Sequence, residues 1–288
     1  MSTNARLTLA IVALAWSAGA HADEGVPQTI RDANNSVGAS FAFSHFDYTE
    51  MNHGLVPSLP DTLDSESGWL HGFRVEAKLE RSVFGLRDFY IASSVGYTWG
   101  DVTYDGRTQA TSPGGSVPVM TTTHASIIDG DVTVGVGLPL GATASLTPVL
   151  TYGLRHWRRN IGAGQPDETD EAYFNQALSF GVLAQVVLAD HLVAGITGTA
   201  GVVMFSSVDI APDSPSSTTL NMGATLGLRG ALSVDYAFDR LHVFAAYDLH
   251  SFGYNRSDSK MVTPTLYATE PDSSTLTHEL RAGVAVGF

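Results

Sequence analysis

The feature that most constrains the fold is a two-residue alternation of apolar and polar side chains that recurs along most of the chain. In the last such run, Leu276, Leu280 and Val286 fall on one face, whereas Glu279 and Arg281 fall on the other. Successive side chains of a β-strand point to opposite sides of the sheet. The alternation therefore predicts an all-β chain whose strands each carry one apolar and one polar face.

We predict ten strands from these runs, an even number as in single-chain bacterial membrane barrels. Their predicted bounds are 36–50, 66–80, 88–105, 120–138, 143–160, 171–188, 191–208, 219–236, 241–256 and 274–288.

The connections between the predicted strands alternate in length. Those at 189–191 and 239–240 are short, whereas those at 51–65, 106–119 and 257–273 are long and rich in small and polar residues. Short periplasmic turns opposite five longer extracellular loops are typical of a transmembrane antiparallel β-barrel. A soluble β-sandwich has no reason to sort its loops in this way.

The charged residues of the strands share a face with the small residues, which predicts a polar lumen and a lipid-facing exterior. The predicted lumen charges are Arg74, Glu76, Lys78, Asp129, Asp131, Arg155, Arg229, Asp235, Asp248, Glu279 and Arg281. A lumen of about ten strands is little wider than one that side chains can fill. Because isolated buried charges are costly to desolvate, we expect paired charges that plug the lumen. A narrow conducting pore is the alternative.

The start of the chain predicts export. A short positively charged start and an apolar run, too short to span a bilayer, precede an A-x-A pattern that ends at Ala22. We therefore predict a signal peptide over 1–22, cleaved near Ala22, with cleavage after Ala20 as the alternative. A periplasmic N-terminal segment, 23–35, and a barrel over 36–288 are expected to follow.

The other end of the chain, from Val284 to Phe288, alternates small and apolar residues and finishes on an aromatic residue. It resembles the terminal strand of bacterial outer-membrane barrels, whose last aromatic residue is part of the signal read by the barrel assembly machinery. The resemblance implies that Phe288 is such a signal. It also implies that the chain resides in the outer membrane of a Gram-negative envelope, in contact with lipid.

Composition excludes several classes of function. The formal net charge of −14 argues against nucleic acid as a partner. The absence of cysteine excludes a disulfide framework and a thiolate metal site. No spacing typical of nucleotide, zinc or calcium binding occurs, so no cofactor or metal is expected. The acidic residues Asp167, Glu168, Asp170 and Glu171 are interpreted as solvated charge in the third outer loop.

Two motifs suggest catalytic barrels. Asp248-Leu249-His250 resembles the Asp-x-His half of the site of omptins, which are ten-stranded outer-membrane proteases, and an aspartate that orients an imidazole can activate water. The omptin pattern also requires an Asp-x-Asp pair on the facing wall. Asp101 and Asp105 lie four apart and depart from it. Asp248 and His250 are therefore weak catalytic candidates, and a hydrogen bond within the lumen explains them equally well.

The second motif is His124-Ala125-Ser126, which resembles the His-x-Ser arrangement of barrel lipid hydrolases. Strand parity places His124 and Ser126 on the outward face, as that chemistry requires. The Asn-Gly context of those enzymes is missing, and no acid that could orient His124 is evident on the same face of the predicted strand.

Arg158 and Arg159 follow Trp157 at the outer end of the fifth predicted strand. A guanidinium at headgroup height can donate hydrogen bonds to lipid phosphates. Both arginines are therefore candidate contacts for lipopolysaccharide, and pairing of a rim arginine with the acidic loop is the alternative.

The segments 46–50 (Phe-Asp-Tyr-Thr-Glu), 104–106 (Tyr-Asp-Gly) and 147–153 (Thr-Pro-Val-Leu-Thr-Tyr-Gly) resemble a family of uncharacterised proteobacterial outer-membrane barrels of porin-like or surface-antigen-like type. The resemblance implies fold and location and brings no activity with it. We expect a monomeric barrel without enzymatic activity that acts through its surface loops or stabilises the envelope. A narrow porin is the first alternative and an omptin-like protease is the second.

Overall fold

The computed structural model describes residues 25–83, 85–107, 116–165, 168–214, 217–263 and 266–288. The predicted signal peptide and its cleavage site lie outside these residues. The described chain forms helix α1 (Gln28–Ala33) and strands β1 (Ser36–Met51), β2 (Thr62–Val83), β3 (Leu86–Arg107), β4 (Pro118–Val136), β5 (Leu138–Pro139), β6 (Ala144–Ile161), β7 (Thr169–Ala189), β8 (Leu192–Ile210), β9 (Thr218–Met222), β10 (Thr225–Phe238), β11 (Leu241–Tyr254), β12 (Lys260–Thr263), β13 (Leu266–Ala268) and β14 (Asp272–Gly287).

The strands close into one antiparallel barrel with ten strand positions around the ring, which confirms the predicted fold class. Each position is called a stave below, and the consecutive strands β9 and β10 share one. Each stave pairs with the next along the chain, β8 pairs with both β9 and β10, and β14 pairs with β1 to close the ring. The turns at 190–191 and 239–240 are tight, and His191 and Asp239 adopt φ angles of 68° and 54° within them. Such positive φ values match the twist of two-residue hairpin turns.

The structure differs from the predicted strands mainly at their outer ends. β2 begins at Thr62 and β7 at Thr169, in both cases before the predicted start. Backbone pairing continues there because unpaired N–H and C=O groups are costly whatever the side-chain pattern. The eighth predicted strand is interrupted at residues 223–224, between β9 and β10, and the last outer loop contains the hairpin β12–β13. Neither feature was predicted.

The exterior of the barrel carries a band of exposed apolar side chains. Phe41 is 83% exposed, and Phe180, Leu226 and Val286 lie outward in the same band. A soluble protein would cover so large an apolar surface, so the band identifies the part of the barrel that faces lipid. No helix in the described ranges has the length and apolar content needed to cross a bilayer.

The interior is filled in layers. At the periplasmic mouth, α1 packs Ile30 and Ala33 against Val26 and the inward side chain of Val193. Above it lie an ionic layer, an aromatic layer and an outer cluster of acids, which are described below. The helix was not predicted, because the segment 23–35 was expected only to precede the barrel, whereas α1 packs inside the lumen against β2, β7, β8 and β10.

Candidate functional site

Asp248 is at the centre of the ionic layer. Its Oδ1 accepts a hydrogen bond of 2.7 Å from Nη2 of Arg229, and its Oδ2 accepts one of 2.6 Å from Nη2 of Arg281. Arg281 also reaches Glu76 at 3.0 Å, and Glu76 lies 3.5 Å from Lys78. Since these residues lie on β10, β11, β14 and β2, the ion pairs link neighbouring strands and also bridge β1, which separates β14 from β2.

A second chain of charges begins at Arg74 on β2. Its Nη2 donates to Asp129 at 2.6 Å, and its Nε lies 3.4 Å from Glu279. Asp131 joins the two chains. Oγ of Ser94 accepts a hydrogen bond of 3.0 Å from Arg74 and donates one of 2.9 Å to Asp131, which lies 3.3 Å from Arg229. The lumen therefore contains a buried charged network in which both signs are paired.

Two of the predicted lumen charges lie apart from this network. Asp235 contacts Nδ1 of His242 at 2.7 Å near the periplasmic end. Arg155 is buried over the ring of Phe252, at 5.3 Å from the ring centroid, and within the described residues its Nε and Nη2 have no hydrogen-bond partner. Arg155 has no ion pair among the described residues, and Asp129, its cross-strand neighbour, is bound by Arg74.

The two weak catalytic candidates do not lie at the outer rim. Asp248 is buried at the level of the lipid-facing band and is occupied by two guanidinium groups. His250 packs against Phe252 with ring centroids 4.8 Å apart. In the described part of the chain no hydrogen bond joins Asp248 to His250. Asp101 and Asp105 of β3 lie on its exposed face and cannot form a facing pair with them.

The outward motif on β4 has an acidic neighbour that the sequence did not reveal. Asp101 on β3 lies directly opposite His124 in the strand register, and its Oδ1 contacts Nδ1 of His124. The expectation that no acid lies near His124 was therefore wrong, because the partner comes from another strand. No described hydrogen bond joins His124 to Ser126.

The aromatic layer closes the lumen above the ionic layer. Trp157 is 1% exposed and stacks on Tyr173 with ring centroids 4.8 Å apart. Phe46 and Tyr48 each approach Trp157 to 5.0 Å, and Tyr254 stacks on Tyr173 at 5.6 Å. These side chains come from four staves and fill the space that a pore would need.

We name the outermost layer the outer carboxyl cluster. It consists of Glu50, Asp64, Glu66, Glu171 and Glu270 around Arg159, and every member is at most 8% exposed.

Arg159 binds three of these acids through its guanidinium group. Nη2 reaches Glu50 at 2.8 Å, Nη1 reaches Glu66 at 3.4 Å, and Nε reaches Glu171 at 2.7 Å. The predicted lipopolysaccharide contact at Arg159 is therefore wrong, because its side chain points into the lumen. The interpretation of Glu171 as solvated loop charge is also wrong, since its side chain on β7 points inward to Arg159.

Arg158 points outward, and its guanidinium group is shared by two acids of the rim. It donates to Asp170 at 2.6 Å and also contacts Asp213. Asp170 is therefore a partner on β7 rather than a free loop charge. Glu168 remains in the loop, where it accepts a hydrogen bond of 2.6 Å from Asn160, and Asp167 lies outside the described residues.

The sequence alternation did contain a signal for the outer carboxyl cluster. Glu50 and Glu66 share the parity of the inward faces of β1 and β2. They were not among the predicted lumen charges because they are the end residues of the predicted strands 36–50 and 66–80, next to the long outer loop between them. Glu270 carried no such signal, since it reaches the cluster from a loop.

Cavities lie on both sides of the ionic layer. One of about 120 Å³ is lined by Arg155, Asn175 and His250, and one of about 180 Å³ lies nearer the periplasm, beside Lys78 and Gln185. Both border Asp131, Arg229 and Asp248. Among the described residues no group of three or more His, Asp or Glu side chains is arranged to hold a metal ion.

Comparison with known proteins gives the fold. No protein-family model matches the sequence, and no curated protein matches it either. The solved structure of outer membrane protease OmpT from Escherichia coli is similar with a TM-score of 0.57 at 10% identity, over 88% of this chain and 97% of that chain. The translocator domain of the autotransporter NalP from Neisseria meningitidis matches over 99% of this chain and 97% of that chain, at 12% identity and a TM-score of 0.40. This chain has the fold of an outer-membrane β-barrel, with a buried charged network in its lumen.

Proposed function

We propose that this chain is an integral outer-membrane protein whose barrel is closed to solutes and which acts through its outer loops and rim without enzymatic activity. The observation that supports the proposal is a lumen obstructed by three packed layers. Helix α1 occupies the periplasmic mouth, the network around Asp248 links opposite walls, and the rings around Trp157 lie above it. Water and ions that pass would have to displace all three layers.

The test is single-channel conductance of the folded mature protein in a planar bilayer at neutral pH. We expect no steady conductance in a sample that migrates as a folded barrel on a gel without heating. A reproducible conductance would contradict the proposal and make the chain a narrow porin, whose path would run through the two cavities beside Arg229. In that case Arg229→Gln should change the ion preference, whereas Arg240→Gln in a periplasmic turn should not.

We propose that the chain belongs to the family of uncharacterised proteobacterial barrels that it resembles. We propose a monomer that the barrel assembly machinery inserts and that resides among outer-membrane lipid. The exposed apolar band supports contact with lipid.

We retain the proposed lipopolysaccharide contact for Arg158 alone. Its guanidinium group is partly exposed at the rim, where a phosphate oxygen would share it with Asp170 and Asp213. Loss of lipopolysaccharide affinity in Arg158→Ala, with affinity retained in Arg107→Ala at another outer strand end, would support this contact. Equal lipopolysaccharide affinity of the unaltered protein and both variants would contradict the contact.

The enzymatic alternative is testable with the same preparation. An omptin-like protease should cleave peptides and lose that activity in Asp248→Asn or His250→Ala. We expect no cleavage by the unaltered protein, because Asp248 is held by Arg229 and Arg281 below the rim.

A further inference from the structure

The outer carboxyl cluster contains far more acid than base. The carboxyl groups of Glu50, Asp64, Glu66, Glu171 and Glu270 surround one guanidinium group, that of Arg159. If all five were ionised, four negative charges would be uncompensated inside a space that excludes water, and burial of an uncompensated charge is strongly unfavourable.

The cluster lies beyond the lipid-facing band. The outermost exposed apolar side chain is Phe43 on β1 and Trp69 on β2. Asp64 and Glu66 precede Trp69, and Glu50 follows Phe43, so these carboxyl groups are on the extracellular side of the band. Protons from the external medium can therefore reach the cluster whenever its cover opens.

Two phenol groups show where protons are needed. The hydroxyl oxygen of Tyr48 lies 3.0 Å from Glu50 and 3.3 Å from Glu270. That of Tyr173 lies 3.2 Å from Glu171 and 2.7 Å from Glu270. Each phenol supplies one proton, and an ionised carboxylate can only accept. Four close contacts therefore share two phenol protons, and a proton on Glu270, which touches both phenols, supplies a third donor.

Glu270 is the only one of the five acids that does not lie on a barrel stave. It lies in the loop between β13 and β14, where its backbone N–H donates to Oγ of Ser257 at 2.8 Å. The backbone N–H of Ser257 in turn donates to the carbonyl oxygen of Glu270 at 3.0 Å. These bonds join the two described ends of the last outer loop, so the side chain of Glu270 attaches these ends to the lumen. Asn255, Arg256 and Lys260 hold the same loop to Ala224, Asn52 and Thr219 at the rim.

We propose that protonated Glu270 closes the outer end of the lumen, and that loss of its proton draws the loop ends at Ser257 and Glu270 away from the barrel mouth. The groups that face Glu270 are Glu50 and Tyr48 of β1, Arg159 of β6, Glu171 and Tyr173 of β7, and Tyr254 of β11. Asp64 and Glu66 of β2 and Tyr104 of β3 complete the surrounding ring.

The direction of the pH dependence follows from the same contacts. Burial raises the pKa of Glu270 well above its usual range, Glu50 and Glu171 raise it further, and Arg159 lowers it. An acid whose pKa is raised in the closed state favours that state when it is protonated. The closed loop is therefore stable in acidic medium, and its stability is lost as the pH rises through the raised pKa.

The test is the reactivity of a thiol placed in the wall of the lumen next to Glu50. Ser273 on β14 pairs with Glu50 in the strand register, is 6% exposed, and its Oγ has no hydrogen-bond partner among the described residues, so Ser273→Cys changes little else. A small charged thiol reagent is added to the folded protein at several pH values. Ser58→Cys, exposed in the first outer loop, corrects for ionisation of the thiol itself.

We expect the corrected reaction rate of Ser273→Cys to rise by about tenfold per pH unit through the transition, as release of one proton requires. Adding Glu270→Gln should abolish the rise, because an amide keeps the hydrogen bonds and cannot ionise. Adding Glu168→Gln, an exposed loop acid, should leave it unchanged. The proposal would be overturned by a corrected rate that does not change with pH while Glu270 is intact, or by a rise that persists with Glu270→Gln.

This readout is independent of the conductance test. The thiol reports only on the outer end of the lumen, whereas conductance also requires the aromatic and ionic layers to open. A barrel that conducts at neutral pH could still lack the pH dependence, and a silent barrel could show it.

Discussion

Arg158 and Arg159 are neighbours on β6, and their environments are opposite. The side chain of Arg159 is 3% exposed among three acids, whereas that of Arg158 is 41% exposed between two. Successive residues of a strand face opposite sides of the barrel wall, so one position decides whether a guanidinium group meets protein or solvent.

The two arginines should therefore differ in their effect on stability. We expect Arg159→Gln to lower the free energy of unfolding by about 3–5 kcal/mol, because it leaves buried carboxylates without a cation. Arg158→Gln should change it by less than about 1 kcal/mol, as for an exposed ion pair. Urea unfolding in lipid vesicles measures both. The loss in Arg159→Gln should shrink in acidic medium, where protonated acids no longer need the cation; equal losses in the two variants would contradict this account.

At the scale of elements, helix α1 is held by its contacts rather than by its own sequence. It has six residues, fewer than an isolated helix needs in water. Its attachment comes from buried Ile30, from the ion pair of Arg31 with Asp88 at 2.6 Å and from the hydrogen bond of Asn34 to Glu80 at 2.8 Å. Because α1 is a separate segment inside a closed ring of paired strands, we expect that it can leave without unfolding the strands.

We accordingly expect Ile30→Asp to release α1 while the barrel stays folded, because a buried charge without a partner is unfavourable. Limited proteolysis should then cut the segment around residues 25–34, and the barrel should migrate as before on an unheated gel. Asp32→Ala, on the exposed side of the same helix, is the control and should leave the segment protected. Unfolding of the whole barrel in Ile30→Asp would mean that helix and strands form one cooperative unit.

At the scale of the whole molecule, the last strand closes the ring by pairing with both β1 and β11. Phe288 follows it, is 59% exposed and donates its backbone N–H to the carbonyl of Asn35 at 3.0 Å. Its ring contributes little to the packed interior, and its contact with Arg81 at 5.7 Å is worth about 0.5–1 kcal/mol.

If Phe288 is an assembly signal, Phe288→Ala should lower the amount of protein inserted in the outer membrane of cells severalfold. Its effect on the unfolding of purified protein should stay below about 1 kcal/mol. Phe238→Ala is a matched control, since Phe238 is 56% exposed at another periplasmic strand end. Insertion that falls equally in both variants, or not at all, would contradict a specific role for Phe288.

The alternation of side chains determined most of the architecture. It predicted ten staves, their order along the chain and the inward face of each, because the period of a strand is a local property of the backbone. Arg74, Asp131, Arg229 and Glu279 could be placed inside by counting alone, and the structure shows them inside the lumen.

Partners across the lumen depended on tertiary structure. The alternation along β11 predicts that Asp248 and His250 face the same side. In the closed ring, however, Asp248 is bound by Arg229 and Arg281 of the two adjacent strands. In the same way Asp101 reaches His124 only because β3 and β4 pair in one register.

The amino-acid sequence by itself thus determined which side of the barrel wall each strand side chain occupies, since the side follows from backbone geometry over two residues. The tertiary structure alone decided what fills the lumen. Helix α1 and Glu270 reach the lumen from segments with no alternation, and a contact between residues distant in sequence has no local signature. The closure at each end of the barrel follows from these two segments, because a ring of strands leaves its ends open until another part of the chain covers them.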